Sequence, residues 1–505
     1  RVNRKVLFNG AVRPACNDGV IPANGLLYLG PWLCDCNLSL MGTLALCPAG
    51  DFKFEYRATD SERLETLRKD AARVAPFEVS GLDWATCRGN NARSACSGAV
   101  VPDSVEKIWE YTPDKPLKHS APTAAGGLVF LCGDDCKVRA VEAATGRLKW
   151  TFLAGGPVAQ PPTIWRGRAY VGSGDGYVYA LEAATGEPLW RFRAAPVERR
   201  IMVYGTLCST WPVNSGVLVQ DGTAYAAAGI IDYDGTYVYA LDAATGRIKW
   251  QNNTSGHLDK ELRKGISAQG MLTVGQGKLW MPGGNVISPA SYDLATGKYL
   301  GGPPGDGSPK ANRGEDIGLL DGRYLLLGGR LRFSATENVV NPGYFSAFRI
   351  ADGGSAEKGI DLCQGKIPPA WDQTRCVMVN GRFGEPVCYS LAKVRQYLDR
   401  GDPKSQVESE WIASGVTGPR LRESDAVSLA VAANAVLVIY ETPVVRDRRS
   451  RWTLRSLDPG SGAVLWEQRL PSPVLPGGLL VDRDGRVVVV MEDGSVACYA
   501  GKEAG

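Results

Sequence analysis

The chain has 505 residues, 44% hydrophobic and 22% charged, with 61 Gly and 31 Pro, a balance that excludes a disordered chain, a collagen and a long coiled coil. A formal net charge of +4, scattered along the chain, excludes a nucleic-acid footprint. No run reaches the roughly 18 uninterrupted apolar residues of a membrane helix. The nearest, 426–440, is broken by Asn434 and reads as two strands and a turn. The sequence opens on Arg1 with no apolar signal segment, which reads as a mature form or a fragment.

Residues 1–82 are expected to form a cysteine-rich N-terminal extension, with turns and short strands around Cys16, Cys34, Cys36 and Cys47. Thr59-Asp-Ser-Glu62 is a capping box, in which Thr and Glu reciprocally satisfy two donors at a helix start. It predicts a helix to about Val74, stopped by Pro76, with Glu62, Arg63, Arg68, Lys69 and Asp70 on a solvated face. The 13 cysteines admit disulfides, scattered buried thiols or a metal. Zinc sites usually mix in His, and His119 and His257 are the only two. The disulfide reading is adopted, which implies a periplasmic or extracellular setting. It pairs Cys87 with Cys96 and Cys132 with Cys136, and bridges the Cys16, Cys34, Cys36 and Cys47 set internally. The odd count leaves at least one thiol over.

From residue 83 a repeat organises the chain. Ala140-Val-Glu-Ala-Ala-Thr-Gly-Arg-Leu-Lys-Trp150 recurs as Ala180-Leu-Glu-Ala-Ala-Thr-Gly-Glu-Pro-Leu-Trp190 and as Ala240-Leu-Asp-Ala-Ala-Thr-Gly-Arg-Ile-Lys-Trp250. Weaker copies start at Tyr292, Ala347 and Ser456; two more, at Val387 and Asp493, keep the incoming strand and lose the turn, giving eight units. In the second unit, short strands alternate with the turns Arg166-Gly-Arg, Gly174-Asp-Gly176 and Ala184-Thr-Gly186. Four strands per unit at this period is a propeller blade. Gly in the Thr-Gly turn takes a positive φ cheaply, Thr bonds locally, and the Trp packs between neighbouring blades. The last unit lacks an outer strand, which Ile108-Trp-Glu-Tyr111 supplies, closing the ring. The expected fold is all-β: an eight-bladed propeller over 83–505 behind the extension.

These residues reach a family. The Ala-x-Asp/Glu-Ala-x-Thr-Gly-x-x-x-Trp unit resembles the pyrroloquinoline-quinone-type (PQQ-like) propeller repeat. So does the leading segment Asp83-Trp-Ala-Thr-Cys-Arg-Gly-Asn-Asn-Ala-Arg-Ser94. Arg199-Arg200 through Trp211-Pro-Val213, with Ala228-Gly-Ile-Ile-Asp-Tyr-Asp-Gly235, is similar to exported bacterial repeat proteins of unassigned activity. The family holds quinoprotein dehydrogenases and also cofactor-free scaffolds, so the fold alone does not choose a function.

Propeller ligands sit at the central channel. Blade alignment places His119, Trp211, Gln269, Arg313, Glu315, Glu423 and Asp425 early on inner strands, with Gln160, Ser209 and Ser267, and puts Arg199 and Arg200 in a loop just before one. Arg, Trp and carboxylates together suit an anionic or planar ligand. The resemblance implies that a quinoprotein site would add calcium-binding carboxylates, a catalytic base and flat groups around the cofactor, in many members a disulfide between adjacent cysteines. No adjacent Cys-Cys pair occurs. Asp232-Tyr-Asp-Gly235 lacks the remaining ligands of an EF loop and reads as a turn. The expectation is therefore an exported, non-enzymatic binding or assembly scaffold with no cofactor, no metal and no catalytic residue. Its ligands would be a protein partner or a second copy of itself, with a small anion in the channel. The alternative is a periplasmic dehydrogenase using pyrroloquinoline quinone with calcium. Long connections at 301–312, 334–342 and 391–414 would build the contact face.

Overall fold

The computed structural model of the protein describes residues 20–29, 44–46, 56–203, 206–230, 235–258, 265–268, 270–283, 287–301, 314–329, 344–350, 359–364, 367–380, 384–401, 407–413, 425–444 and 449–501. From residue 106 onward the described strands form eight four-stranded antiparallel blades and one separate two-stranded hairpin. Blade 1 runs from Thr123–Ala125 to Leu148–Leu153, and blade 2 from Thr163–Trp165 to Pro188–Arg193. Blades 3 to 7 start at Leu218, Thr273, Asp316, Ala370 and Asp425. Blade 8 takes three strands from residues 474–500 and its outermost, Glu106–Tyr111, from the start of the propeller. The closing register sets Cys498 opposite Trp109 and Val496 opposite Tyr111, the pairing expected from the repeat.

The repeat motif has a direct physical reading. In each Thr-Gly turn the glycine is left-handed, and the Trp of the preceding blade lies on it: Trp109 on Gly146 (φ 70°), Trp150 on Gly186 (φ 76°) and Trp250 on Gly297 (φ 71°). A Cβ built on Gly186 would sit 2.5 Å from the Trp150 ring, so glycine is required by backbone and neighbour alike. The indole N–H donates to the same turn, Trp109 to Ala143 O at 2.8 Å and Trp150 to Ala183 O at 3.1 Å. Thr or Ser ties the turn's acid down: Thr145 donates to Glu142 at 2.8 Å, Thr245 to Asp242 at 2.8 Å and Ser461 to Asp458 at 2.8 Å. Motif spacing and blade-to-blade packing are thus one feature.

The N-terminal stretch departs from expectation. Cys16, Cys34, Cys36 and Cys47 lie outside the described residues, and no separate cysteine-rich unit stands among the described ones. The capping box forms, but the helix is only Asp60–Arg63. Leu64 then turns extended (φ −94°, ψ 126°), and Leu64–Thr66 adds a fifth strand to the open edge of blade 2. Edge pairing satisfies backbone groups that helix propensity alone cannot. Nor is the polar face simply solvated. Arg63 is 2% exposed and donates to Tyr239 OH at 2.7 Å, while Arg68 bonds Glu182 at 3.2 Å and Glu187 at 3.0 Å. Residues 56–77 therefore strap blades 3, 2 and 1 together. Within the 391–414 connection, a helix Leu391–Arg400 buries Leu391, Val394 and Leu398 against blades 5 and 6.

Residues 83–97 then cross the ring. Ala124 N donates to Trp84 O at 2.9 Å in blade 1, and Ile164 N to Ala85 O at 2.7 Å in blade 2. Asn91 reaches Val219 O of blade 3 at 2.9 Å and accepts from Thr273 of blade 4 at 3.0 Å. Leu319 N, Trp371 N and Val431 N of blades 5, 6 and 7 donate to Ala92, Ser94 and Ala95, each at 2.9 Å. Asp83 pairs with Arg483 of blade 8. One segment thus bonds all eight blades and closes the end of the channel toward which the inner strands run. Arg88, Arg93 and Ala95 hold positive φ values of 57°, 62° and 51°, a backbone cost that the surrounding bonds must outweigh.

Candidate functional site

The candidate residues fall at the opposite end, around the starts of the inner strands. Trp211 stands there, 1% exposed, its ring edge-on to Tyr237 with centroids 6.3 Å apart and the Arg199 guanidinium 5.4 Å over its face. Thr210 N donates to Arg199 O at 3.0 Å and Trp211 N to Ser209 Oγ at 3.1 Å, which fixes both ends of the group. Arg199 and Trp211 are therefore brought together. Arg200 is not: it is exposed, on a hairpin formed by Arg200–Val203 and Thr206–Ser209, and bonds Glu198 at 3.0 Å. Glu315 is 3% exposed at the seam of blades 4 and 5, where its carbonyl accepts from Met271 N at 3.0 Å. Asp425 begins the inner strand of blade 7, opposite Glu441. Gln269, Arg313 and Glu423 lie outside the described residues, as do Asp232 and Asp234.

His119 belongs to the ring closure. Its Nε2 lies 2.9 Å from Gly494 O of blade 8 and its Nδ1 3.3 Å from Cys132 O of blade 1. Burial holds the imidazole below its ordinary value of 6.5, against two carbonyl contacts that favour the charged ring. On acidification the unfolded chain takes up this proton first. The stability His119 contributes is present above about pH 6.5 and is lost as pH falls through the lower folded value. A His119→Gln variant is expected to flatten the fall in Tm on the acid side of that point; parallel curves for the two proteins would refute it.

Among the described residues, two buried oxygens at this end have no hydrogen-bond partner: Gln160 Oε1 at the start of blade 2 and Thr210 Oγ1 beside Trp211. Thr210 carries no sequence signal beyond its place between Ser209 and Trp211. Among the described residues no group of three or more His, Cys, Asp or Glu is placed to hold a metal ion. On the rim, a groove of about 870 Å³ opens between blades 7 and 8, lined by Lys107, Arg451, Trp452, Arg469, Pro473 and Glu492 among others.

Neither expected pair among the described residues is bridged: Cys96, Cys132 and Cys136 are free thiols, which leaves Cys87–Cys96 and Cys132–Cys136 unformed. Cys132 is fully buried, shares a 3.0 Å hydrogen bond with Ser120 and has its thiol pushed up to about 12 by burial. Cys136, beyond the turn at φ 63°, is part-exposed. Cys132 is held in the buried ladder opposite Val138, whereas Cys136 lies outside the ladder at the left-handed end of the turn, so the strands do not bring the two thiols together. Cys87 packs with Met271 and Trp280 of blade 4, whereas Cys96 pairs with Val431 of blade 7.

The family model described as outer membrane protein assembly factor BamB matches residues 98–209 and 158–391, more than half of the chain. The quinoprotein ethanol dehydrogenase of Pseudomonas aeruginosa is 33% identical over 76 residues, 15% of this chain and 12% of that protein. The serine/threonine-protein kinase AfsK of Streptomyces griseus is 29% identical over 282 residues, 54% of this chain and 30% of that one. The chain thus spans less than a third of the length of these curated relatives. Among solved structures, the quinohemoprotein alcohol dehydrogenase of Comamonas testosteroni superposes with a TM-score of 0.54 at 15% identity, covering 86% of this chain and 83% of that one. A europium-containing methanol dehydrogenase gives 0.53 at 12% identity, covering 84% and 98%. At such identities the likeness is one of fold.

These matches correct one expectation. A cofactor-free assignment does not stand for a chain whose fold, over more than four fifths of its length, is that of quinohemoprotein and methanol dehydrogenases. The family match makes the chain a periplasmic or extracellular protein, as expected. Its eight closed blades, its Thr-Gly-Trp repeat and the family match agree: the chain belongs to the PQQ-like β-propeller family described by the assembly factor BamB model.

Proposed function

We propose that the channel mouth is a cofactor site for a planar, anionic quinone of the pyrroloquinoline class held with calcium, and that the chain is a dehydrogenase of alcohols or aldoses. The observation that carries this is the pair of partnerless buried oxygens, Gln160 Oε1 and Thr210 Oγ1, close to the starts of the inner strands of blades 2 and 3. Buried polar atoms cost about 1–3 kcal/mol each when unsatisfied, and a polar ligand removes that cost. These two atoms fit a donor-bearing cofactor, and Arg199 supplies a cation for its carboxylates. Of the inner-strand carboxylates, Glu315, buried at the start of blade 5, is the one proposed as a calcium ligand. The quinone, when bound, supplies the two-electron oxidation, while this chain's residues bind, orient and exclude water. The likeness to quinohemoprotein dehydrogenases supports the reading.

Reconstitution with the quinone and calcium tests it, by equilibrium dialysis for binding and dye reduction across alcohols and aldoses for turnover. One quinone retained per chain is expected, with Glu315→Gln weakening calcium-dependent retention about 10–100-fold, the range for a lost metal-supporting group. A chain that retains no quinone overturns the proposal. The rim groove between blades 7 and 8, with its arginines, Trp452 and prolines, and the assembly-factor family model favour a second reading, a protein-binding scaffold. In that case Arg451→Glu with Arg469→Glu should abolish partner cross-linking and leave quinone retention unchanged.

A further inference from the structure

We infer that Cys136 and Cys208, both free thiols in this structure, form a disulfide on oxidation that latches the 200–209 hairpin onto blade 1 at the rim of the channel mouth. The two residues come from different blades' connections, yet a short chain of bonds joins them. Cys136 O accepts from Ala154 N at 2.8 Å, and the next carbonyl, Gly155 O, accepts from Arg200 Nη1 at 3.1 Å. From the other side Ser209 N donates to Gly174 O at 2.7 Å. Arg200 and Ser209 face each other at the base of the hairpin, and Cys208, opposite Ile201, is the next residue in. Gly155 and Gly156 press on Asp175 so closely that a Cβ on either would lie 2.3 or 2.4 Å from it. The base of the hairpin is thus docked at the Asp175 turn, beside the blade 1 loop that ends in Cys136.

The electrostatics agree with this placement. The Asp175 carboxylate acts on both thiols, and Cys136 acts directly on Cys208. Both cysteines are part-exposed, so an external oxidant reaches them, whereas Cys132 is sealed in the core. The chemistry is exchange with a small disulfide such as oxidised glutathione. One protein thiolate attacks it and expels a glutathione thiolate; the second protein thiolate then attacks the mixed disulfide and expels the other. Two protein thiols and one glutathione disulfide give one protein disulfide and two glutathione thiols. Burial pushes the Cys208 thiol up to about 11, so the exchange should quicken as pH rises, since the thiolate is the nucleophile.

The test uses the full folded chain, equilibrated with oxidised glutathione, alkylated, and digested without reductant for mass spectrometry. The expected result is a linked peptide pair carrying Cys136 and Cys208, two mass units below the sum of the reduced peptides, with loss of alkylation at both sites. Cys132→Ser should leave that pair intact, and exchange of the hairpin amides should slow at least tenfold on oxidation. In Cys208→Ser, or in Cys136→Ser should the first fail to fold, the remaining cysteine should carry glutathione instead. A Cys132–Cys136 link, or separate glutathione adducts on Cys136 and Cys208 in the unsubstituted chain, would overturn the inference.

Discussion

Trp109→Ala is expected to destabilise the protein by about 3–5 kcal/mol, the range for truncating a buried Trp, and to open the ring at one seam. Trp109 sits in the strand Glu106–Tyr111, which pairs with Val496–Ala500 and is joined to the rest of blade 8 by hydrogen bonds rather than by a turn. Its ring is 8% exposed, covers Gly146 and donates to Ala143 O at 2.8 Å. The same residue therefore fastens blade 8 to blade 1 and holds the closing strand. Trp250→Ala is the control: it is 9% exposed and donates to Leu294 O at 2.9 Å, but lies in a blade of continuous chain. Urea unfolding should show comparable losses for the two variants. Hydrogen exchange should rise across 106–111 and 496–500 only in Trp109→Ala. Equal exchange in both would mean that closure does not depend on this side chain.

Arg93→Met should cost about 2–6 kcal/mol, the sum for two buried carbonyls left without donors, and should loosen the whole ring. The guanidinium is buried at 3% exposure. It donates to Leu272 O at 3.3 and 3.1 Å, to Cys87 O at 3.0 Å and to Thr86 Oγ1 at 2.8 Å. Methionine leaves two buried carbonyls without donors, each worth about 1–3 kcal/mol. It also releases the left-handed backbone at residue 93. Because 83–97 bonds every blade, the damage should spread: thermal unfolding should shift down as one transition, and limited proteolysis should cut within 88–95. Arg93→Lys should recover little, since an ammonium cannot span the two carbonyls as the planar fork does. Full rescue by lysine would assign Arg93 a simple charge role.

The plan of the propeller was legible in the sequence because its determinants are local and repeated. The acid, Thr, Gly and Trp of one unit are fixed by a turn that needs a left-handed glycine and by an indole that needs a flat, Cβ-free surface in the next unit. The closing strand around Trp109 followed, since an unpaired edge must find a partner. What lay beyond the sequence depends on contacts far along the chain. The capping box at Thr59 predicts a long helix, and only the open edge of blade 2 decides that Leu64 leaves it. The 83–94 segment carries the family signature, yet its role as a floor bonded to all eight blades exists only once those blades surround it. Cysteine spacing suggested Cys132 with Cys136, but folding locks Cys132 into the buried ladder opposite Val138 and leaves Cys136 in the turn at positive φ. The mouth shows the same limit: alignment could place Arg199 and Trp211 near an inner strand, and only folding could stack one over the other and leave Gln160 and Thr210 without partners. Spacing along the chain fixes a repeat, whereas a binding site is made by distances across it.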